Sequence, residues 1–150
     1  MILKEDSSEQ KLRGAYYTPL KLAKKMVDFF KDDLSIKSIL EPSCGDGVFV
    51  DALLESQFLS QHKRVTAIEI EKKEAEKLSE KLKDNSNIDV VNGDFFEFYH
   101  KHKDMDTYDL ILGNPPYEEV RGNSQKTQKA TAFLDKYLEW LHDEGFIGII

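Results

Sequence analysis

The residues best equipped for chemistry lie at Leu112–Tyr117, LGNPPY, directly after the apolar run YDLIL. Asn114 precedes a proline and is therefore pushed out of helical geometry. Pro115 and Pro116 each fix φ and remove a backbone donor. The product is a stiff, extended loop rich in acceptors, namely the Asn114 side-chain oxygen and the neighbouring carbonyls, with the flat face of Tyr117 beside them. Acceptors next to a stacking surface suit a planar group that carries an NH2. The lone pair of such an amine is delocalised into its ring, so the amine is a poor nucleophile. Two acceptors holding both hydrogens favour a more tetrahedral nitrogen, with its lone pair aimed at an electrophilic methyl. Positioning and electrostatics then carry the reaction, and no general base is required before transfer. A rigid strand-ending turn with a packed Tyr is the bland alternative. A lone Asn-Pro would favour it; the full tetrapeptide after an apolar strand does not.

A second cluster of chemistry lies upstream in ILEPSCGDGVFV. Gly45 and Gly47 allow a tight turn and a close backbone approach to a ligand. A dinucleotide fingerprint would place a third glycine where Val50 stands, so a pyrophosphate site is weakly supported. No Lys-Ser/Thr pair follows, which excludes a P-loop. Glu41 and Asp46 would repel phosphate and suit a cation. Glu69 ends the strand-like AIEI at the spacing of an acid that hydrogen-bonds a ribose diol. Together these residues point to a nucleoside ligand with a positive centre and no phosphate, a description S-adenosylmethionine fits. Asp94, in NGDFFEF, stands after the third strand, where its carboxylate could accept from an adenine amine while Phe95 covers the ring. Asp94 as a helix cap and Phe95 as core are the plain alternatives.

The elements that would position these groups alternate between strand and helix. Thr18-Pro19 reads as a cap and first turn opening a helix, with Leu22, Ala23, Met26, Val27 and Phe30 on one buried face. Residues 35–40 read as a strand and 48–59 as a helix. A strand at 64–70, a charged helix at 72–83, a strand at 88–91 and a short helix at 95–102 follow. After the strand at 108–112 and the polar loop 118–126 comes a helix over 127–143, with Ala132, Leu134, Leu138 and Leu141 in register. Residues 146–150 form a last strand. Strands separated by helices imply a parallel sheet covered on both faces. The chain stops at about its fifth strand, GFIGII, which would leave an edge needing cover. On this reading residues 1–150 are one cofactor-binding and catalytic domain, the N-terminal piece of a longer protein.

Composition sets the outer limits. The chain has 150 residues, 40% hydrophobic and 33% charged, enough for one domain with a core. No run approaches the ~18 apolar residues of a membrane span. The single cysteine excludes an internal disulfide and fits a reducing cytosol. A net charge of -7 argues against a general nucleic-acid-coating protein, but not against an enzyme that grips DNA through another region. The four histidines show no metal spacing with acidic or thiol partners, so no metal is expected.

In order along the chain, GAYYTPLKLAKKMV, ILEPSCGDGVF, AIEI, GDFF and LGNPPY resemble the motifs of the gamma group of amino-methylating DNA methyltransferases. These act on adenine N6 in restriction-modification systems, and the resemblance runs from about Gly14 onward. It implies a Rossmann-like, S-adenosyl-L-methionine-dependent α/β fold with a mostly parallel sheet, in a cytoplasmic, nucleoid-associated prokaryotic enzyme. It implies that Tyr17, Thr18 and Pro19 contact the methionine part of the cofactor. Glu41, Pro42, Cys44, Gly45 and Gly47 would line its loop, Glu69 would hold the ribose, and Asp94 and Phe95 would bind its adenine. Asn114, Pro115, Pro116 and Tyr117 would be catalytic, the first two supplying acceptors and Tyr117 stacking on a base flipped out of double-stranded DNA. The family's sequence-reading domain and the segment holding the other face of the base are missing here. Release-factor glutamine methyltransferases share an Asn-Pro-Pro-Tyr loop, and ribosomal RNA adenine methyltransferases are a third reading; the Tyr-Thr-Pro segment speaks against both. A non-catalytic cofactor-binding fragment is the non-enzyme reading. Cytosine-C5 chemistry would need a Pro-Cys pair in the catalytic loop, and Cys44 lies elsewhere.

Overall fold

The computed structural model describes residues 17–59, 62–105, 107–117, 119–121 and 126–150. Gly14, Ala15 and Tyr16, which open the N-terminal motif, lie outside the described residues. The elements run α1 (Leu20–Phe30), β1 (Ser38–Glu41), α2 (Val48–Glu55), β2 (Arg64–Glu69), α3 (Lys72–Leu82), β3 (Ile88–Asn92), α4 (Phe95–His102) and β4 (Tyr108–Gly113). They continue with β5 (Glu119–Arg121), β6 (Lys126–Gln128), α5 (Lys129–Trp140) and β7 (Leu141–Ile149). Five strands form one parallel sheet in the order β3-β2-β1-β4-β7. Chain order runs outward in both directions from the β1/β4 pair. Open parallel sheets bind ligands at that reversal, outside the carboxyl ends of the strands.

Both faces of the sheet are buried, as parallel sheets require. Side chains alternate along each strand. Ile39, Leu110 and Leu112 join Val27, Phe49, Leu53 and Leu78 on the face covered by α1, α2 and α3. Leu40, Ile68 and Ile111 face the other way, onto Phe95, Tyr99, Phe133, Tyr137 and Trp140 of α4 and α5. At the amino end of the sheet, Asp109 Oδ2 accepts from the amides of Lys37 and Ser38, both at 2.9 Å, and from Ser38 Oγ at 3.0 Å. Trp140 packs edge-on to Tyr108 with centroids 5.1 Å apart. The Tyr99 hydroxyl donates to Glu139.

The structure corrects three local expectations. In α5 the buried stripe is Ala130, Phe133, Tyr137 and Trp140, while Leu134 and Leu138 face outward, 36% and 66% exposed. Two apolar stripes lie side by side on this helix, and the one with larger aromatic surface takes the core. In α1, Ala23, Val27 and Phe30 are buried but Leu22 is 43% exposed. The segment expected as a loop at 118–126 contains β5, paired antiparallel with β6.

Candidate functional site at the switch point

The site begins where β1 ends. Glu41 is the last residue of β1, and Pro42 to Gly47 form the turn into α2. Cys44 N–H donates to Ile68 O at 2.9 Å, and Gly47 N–H donates to Cys44 O at 2.8 Å, so the turn is pinned to β2 and to itself. The two glycines have different reasons to be there. Gly45, at φ +54°, has open space where a Cβ would project, so its backbone is bare to an approaching group. Gly47, at φ +84°, is the left-handed N-cap of α2, and a Cβ there would lie 2.5 Å from Leu78 Cδ1. One glycine leaves room for a ligand, and the other brings α3 against the turn.

Glu69 closes the turn from β2. Its Oε2 accepts from Gly45 N–H and its Oε1 from Glu71 N–H, both at 2.7 Å. Asn92 reinforces this corner, its Nδ2 donating to the carbonyls of Glu69 at 2.8 Å and Ile70 at 3.1 Å. The expected ribose acid is therefore also a brace of the glycine turn. Asp94 serves as the N-cap of α4: its Oδ1 accepts from Phe96 N–H at 2.8 Å and Glu97 N–H at 3.1 Å. The ring of Phe95 goes into the core, stacked on Phe133 at 4.7 Å and 25°, and is 3% exposed.

The catalytic-loop candidates follow β4. Asn114 Nδ2 donates to Thr18 Oγ1 at 3.2 Å, across 96 residues of sequence. The Asn114 carbonyl accepts from Ser43 Oγ at 3.4 Å, which ties the loop to the glycine turn. Pro115 is buried and Pro116 half-buried. The Tyr117 hydroxyl donates to the Ile150 carbonyl at 2.5 Å, while 41% of the residue remains exposed. Tyr17, 51% exposed, and Pro19, also exposed, flank Thr18, which is 7% exposed. Thr18 does not cap α1 with its side chain; the cap position is Pro19, whose carbonyl accepts from Leu22 and Ala23 N–H. The structure thus brings Thr18, Asn114 and the glycine turn together at the β1/β4 reversal. Glu69 stands at the neighbouring strand end, with Asp94 just past the end of β3.

The electrostatics of this corner are acidic. Burial, then Asp46, Glu69 and Asp51, push the Glu41 carboxyl well above the usual carboxylate range. Burial also raises Asp46, against lowering by hydrogen bonds from the Val48 amide and its own. Burial raises the Cys44 thiol, which leaves it a small apolar wall residue rather than a nucleophile. Asp51 is paired with Lys81. Such a corner disfavours phosphate and fits a sulfonium- and ammonium-bearing nucleoside, and the bare backbone at Gly45 gives that ligand room. Sequence reasoning missed Ser43 and Asn92, whose partners are backbone carbonyls, and Tyr137, whose hydroxyl is buried. Among the described residues, no group of His, Cys, Asp and Glu side chains could hold a metal ion. No described helix is long and apolar enough to cross a membrane.

Comparison with known proteins places this arrangement. Over 148 residues the chain is 30% identical to the Type II methyltransferase M.HincII of Haemophilus influenzae, which covers 97% of this chain and 26% of that protein. It thus spans about a quarter of the length of that curated relative. Among solved structures, a type I restriction-modification system methyltransferase subunit from Streptococcus thermophilus superposes with a TM-score of 0.73 at 19% identity, covering 91% of this chain and 34% of that one. A SAM-dependent methyltransferase from Agrobacterium tumefaciens gives 0.66 at 18% identity, covering 89% and 44%. The fold is therefore the Rossmann-like methyltransferase fold. The model of the Eco57I restriction-modification methylase family matches residues 14–150, and the chain belongs to that family.

Proposed function

We propose that this chain is the cofactor-binding and catalytic portion of a DNA methyltransferase that transfers a methyl group from S-adenosyl-L-methionine to the N6 amine of an adenine flipped out of double-stranded DNA. The Asn114–Thr18 bond at the switch point carries the reading. With its nitrogen on Thr18, the amide would offer Oδ1 to the incoming amine. The Pro115 carbonyl is the second acceptor for that amine. Family membership supports DNA as the substrate class.

S-adenosyl-L-methionine, when bound, supplies an electrophilic methyl on a sulfonium. Thr18, Glu41, the Gly45 backbone, Glu69 and Asp94 are the residues that would hold it. Asn114 orients the amine and holds its hydrogens. Pro115 and Pro116 keep the loop stiff, so little ordering remains when substrate arrives. The half-exposed ring of Tyr117 offers a stacking face that offsets part of the unstacking cost of a flipped base. The rivals, a release-factor glutamine or ribosomal RNA adenine methyltransferase, would use the same amine-holding loop on a different acceptor. The family match is to DNA enzymes, which favours the first reading.

Two measurements test it. Calorimetric titration with S-adenosyl-L-methionine should show binding, while ATP at the same concentration should not bind; the reverse order would overturn the cofactor assignment. In the protein that carries this chain, labelled methyl should be recovered from double-stranded DNA as N6-methyladenine. Recovery as N4-methylcytosine would keep the amine chemistry and remove adenine, and label only in RNA or protein would remove DNA.

A further inference from the structure

Two asparagines staple β2 to β3, one at each end of the pair. At the amino end, just ahead of both strands, Asn87 Nδ2 donates to the Lys63 carbonyl at 3.3 Å. At the carboxyl end, Asn92 Nδ2 donates to two successive carbonyls, Glu69 at 2.8 Å and Ile70 at 3.1 Å. Two carbonyls facing one end of the amide fix that end as the NH2, since an oxygen there would be repelled. Neither bond is needed to satisfy a buried group. The Glu69 carbonyl already accepts from Gly93 N–H at 2.9 Å, and Ile70 stands at the exposed surface, where water serves a carbonyl as well. What the two bonds fix is the path of the chain as it leaves β2. That path brings Glu71 N–H onto Glu69 Oε1 at 2.7 Å, while Gly45 N–H holds Oε2 at the same distance. Each carboxylate oxygen has two acceptor positions. Among the described residues, the backbone takes one on each oxygen. One on each remains, two acceptors for the two hydroxyls of a ribose diol.

We infer that Asn92 is a positioning residue that sets how strongly the site selects a ribose over a deoxyribose nucleoside. Resting on the cofactor reading above, in which Glu69 holds the ribose, Asn92 acts one step behind the contact. Its Nδ2 hydrogens are committed to the backbone, so it works through Glu69. By pinning the Glu69 and Ile70 carbonyls it keeps the Glu71 amide on Oε1, and with it the direction of the two remaining acceptor positions. Hydrogen bonds weaken steeply with misalignment, so a carboxylate free to turn would still be present but would no longer face both hydroxyls at once. A carboxylate already held in place loses little freedom when the diol arrives. Asn87 joins the same two strands through the same side-chain group, but it lies at the opposite end of β2 from Glu69, which makes it the matched control.

The test is calorimetric titration of the full chain with S-adenosyl-L-homocysteine and with its 2′-deoxyribose analogue. The readout is the ratio of the two dissociation constants, because a general loss of stability weakens both ligands alike. In the wild-type chain the analogue should bind roughly tenfold more weakly, the scale of a hydrogen bond to a charged group. Asn92→Ala keeps the Gly93–Glu69 backbone bond and should fold, yet bring the ratio close to one, chiefly by weakening the ribose ligand. Asn92→Asp, which keeps the shape and loses both donors, should do the same. Asn87→Ala should lower the melting temperature and keep the wild-type ratio. A wild-type ratio in both Asn92 variants would overturn the inference and leave Asn92 a strand staple. An equal collapse in Asn87→Ala would also overturn it, since the effect would then belong to the strand pair as a whole. A ratio of one in the wild-type chain would remove Glu69 from the ribose and Asn92 from any part in selecting it, while tight binding of both ligands would leave the cofactor reading intact. Failure of both ligands to bind would count against the cofactor reading and against the role of Asn92 together.

Discussion

The two ends of the β1/β4 strand pair treat a carboxyl in opposite ways, one half-buried at Asp109 and one buried at Glu41. At the amino end, Asp109 accepts three hydrogen bonds from Lys37 and Ser38. Burial pushes this carboxyl up, but the bonds from the Ser38 and Lys37 amides and the Ser38 hydroxyl outweigh it, with a smaller contribution from His142, and hold it below the usual range. At the carboxyl end, Glu41 is more deeply buried, has an unbonded oxygen and is surrounded by other acids. A polar group kept for stability has its partners supplied by the fold, whereas one kept for function leaves its valence for something that arrives later. The amino end of the sheet is the part that holds the molecule together, and the carboxyl end is the part left to be completed.

The largest expected effect breaks the closed end. Trp140→Ala removes a 0% exposed side chain packed on Tyr108, Tyr99, Phe95 and Phe98, and should cost roughly 3–5 kcal/mol in denaturant unfolding. Next, Asp109→Ala leaves two amides and a hydroxyl without their acceptor and should cost about 2–3 kcal/mol at neutral pH. The pH profiles of the two ends should slope in opposite directions. The Asp109 contribution is present above the unfolded aspartate value of about 3.9 and is lost as pH falls through the lower folded value. The folded Glu41 holds its proton to higher pH than the unfolded chain does. Its contribution is therefore full below about 4.3 and declines as pH rises toward its folded value. Thermal melts of Asp109→Asn and Glu41→Gln against pH separate the two: the first should be the weaker variant at neutral pH, and the second should exceed wild type there.

Smaller effects sharpen the same contrast within the glycine turn. Gly47→Ala meets Leu78 and a left-handed φ, and should cost about 2 kcal/mol. Gly45→Ala bears only the backbone strain, roughly 1 kcal/mol, yet should weaken S-adenosyl-L-methionine more than Gly47→Ala does, because its Cβ projects into open space. Calorimetry and melts on the two variants should therefore rank them in opposite orders. The smallest effect is Leu138→Lys on the outer face of α5, expected within ~0.5 kcal/mol of wild type.

The sequence carried the strand–helix alternation well, because strands buried on both faces read as continuous apolar runs and the turns between them are marked by glycine, proline and acids. The ends of β1, β2 and β4 fell where Glu41, Glu69 and Asn114 were expected to stand. What could not be read locally was how residues meet. Thr18 looked like a helix cap because its only visible neighbour was Pro19; its actual partner is on the far side of the sequence. The buried face of α5 was ambiguous because leucine and aromatic stripes both satisfy helical spacing, and only the shape of the opposing sheet face chooses between them. Phe95 read equally well as core or as a ring cover, and the aromatic cluster of α4 and α5 claims its ring. Tyr137 gave no signal at all, since a buried hydroxyl is visible only once its surroundings are known.

The Thr18–Asn114 bond also has a consequence in time. It closes a loop of 96 residues, and the β1–β4 pairing beneath it spans more than 70, Ile39 standing opposite Leu110. Loop-closure entropy must be met before such contacts return any stabilisation, and chains dominated by them fold slowly. On the ribosome, the first helix and the glycine turn emerge long before Asn114 does. The Thr18–Asn114 contact therefore cannot form on a nascent chain until the β4 loop has been made and has come back to the beginning of the domain.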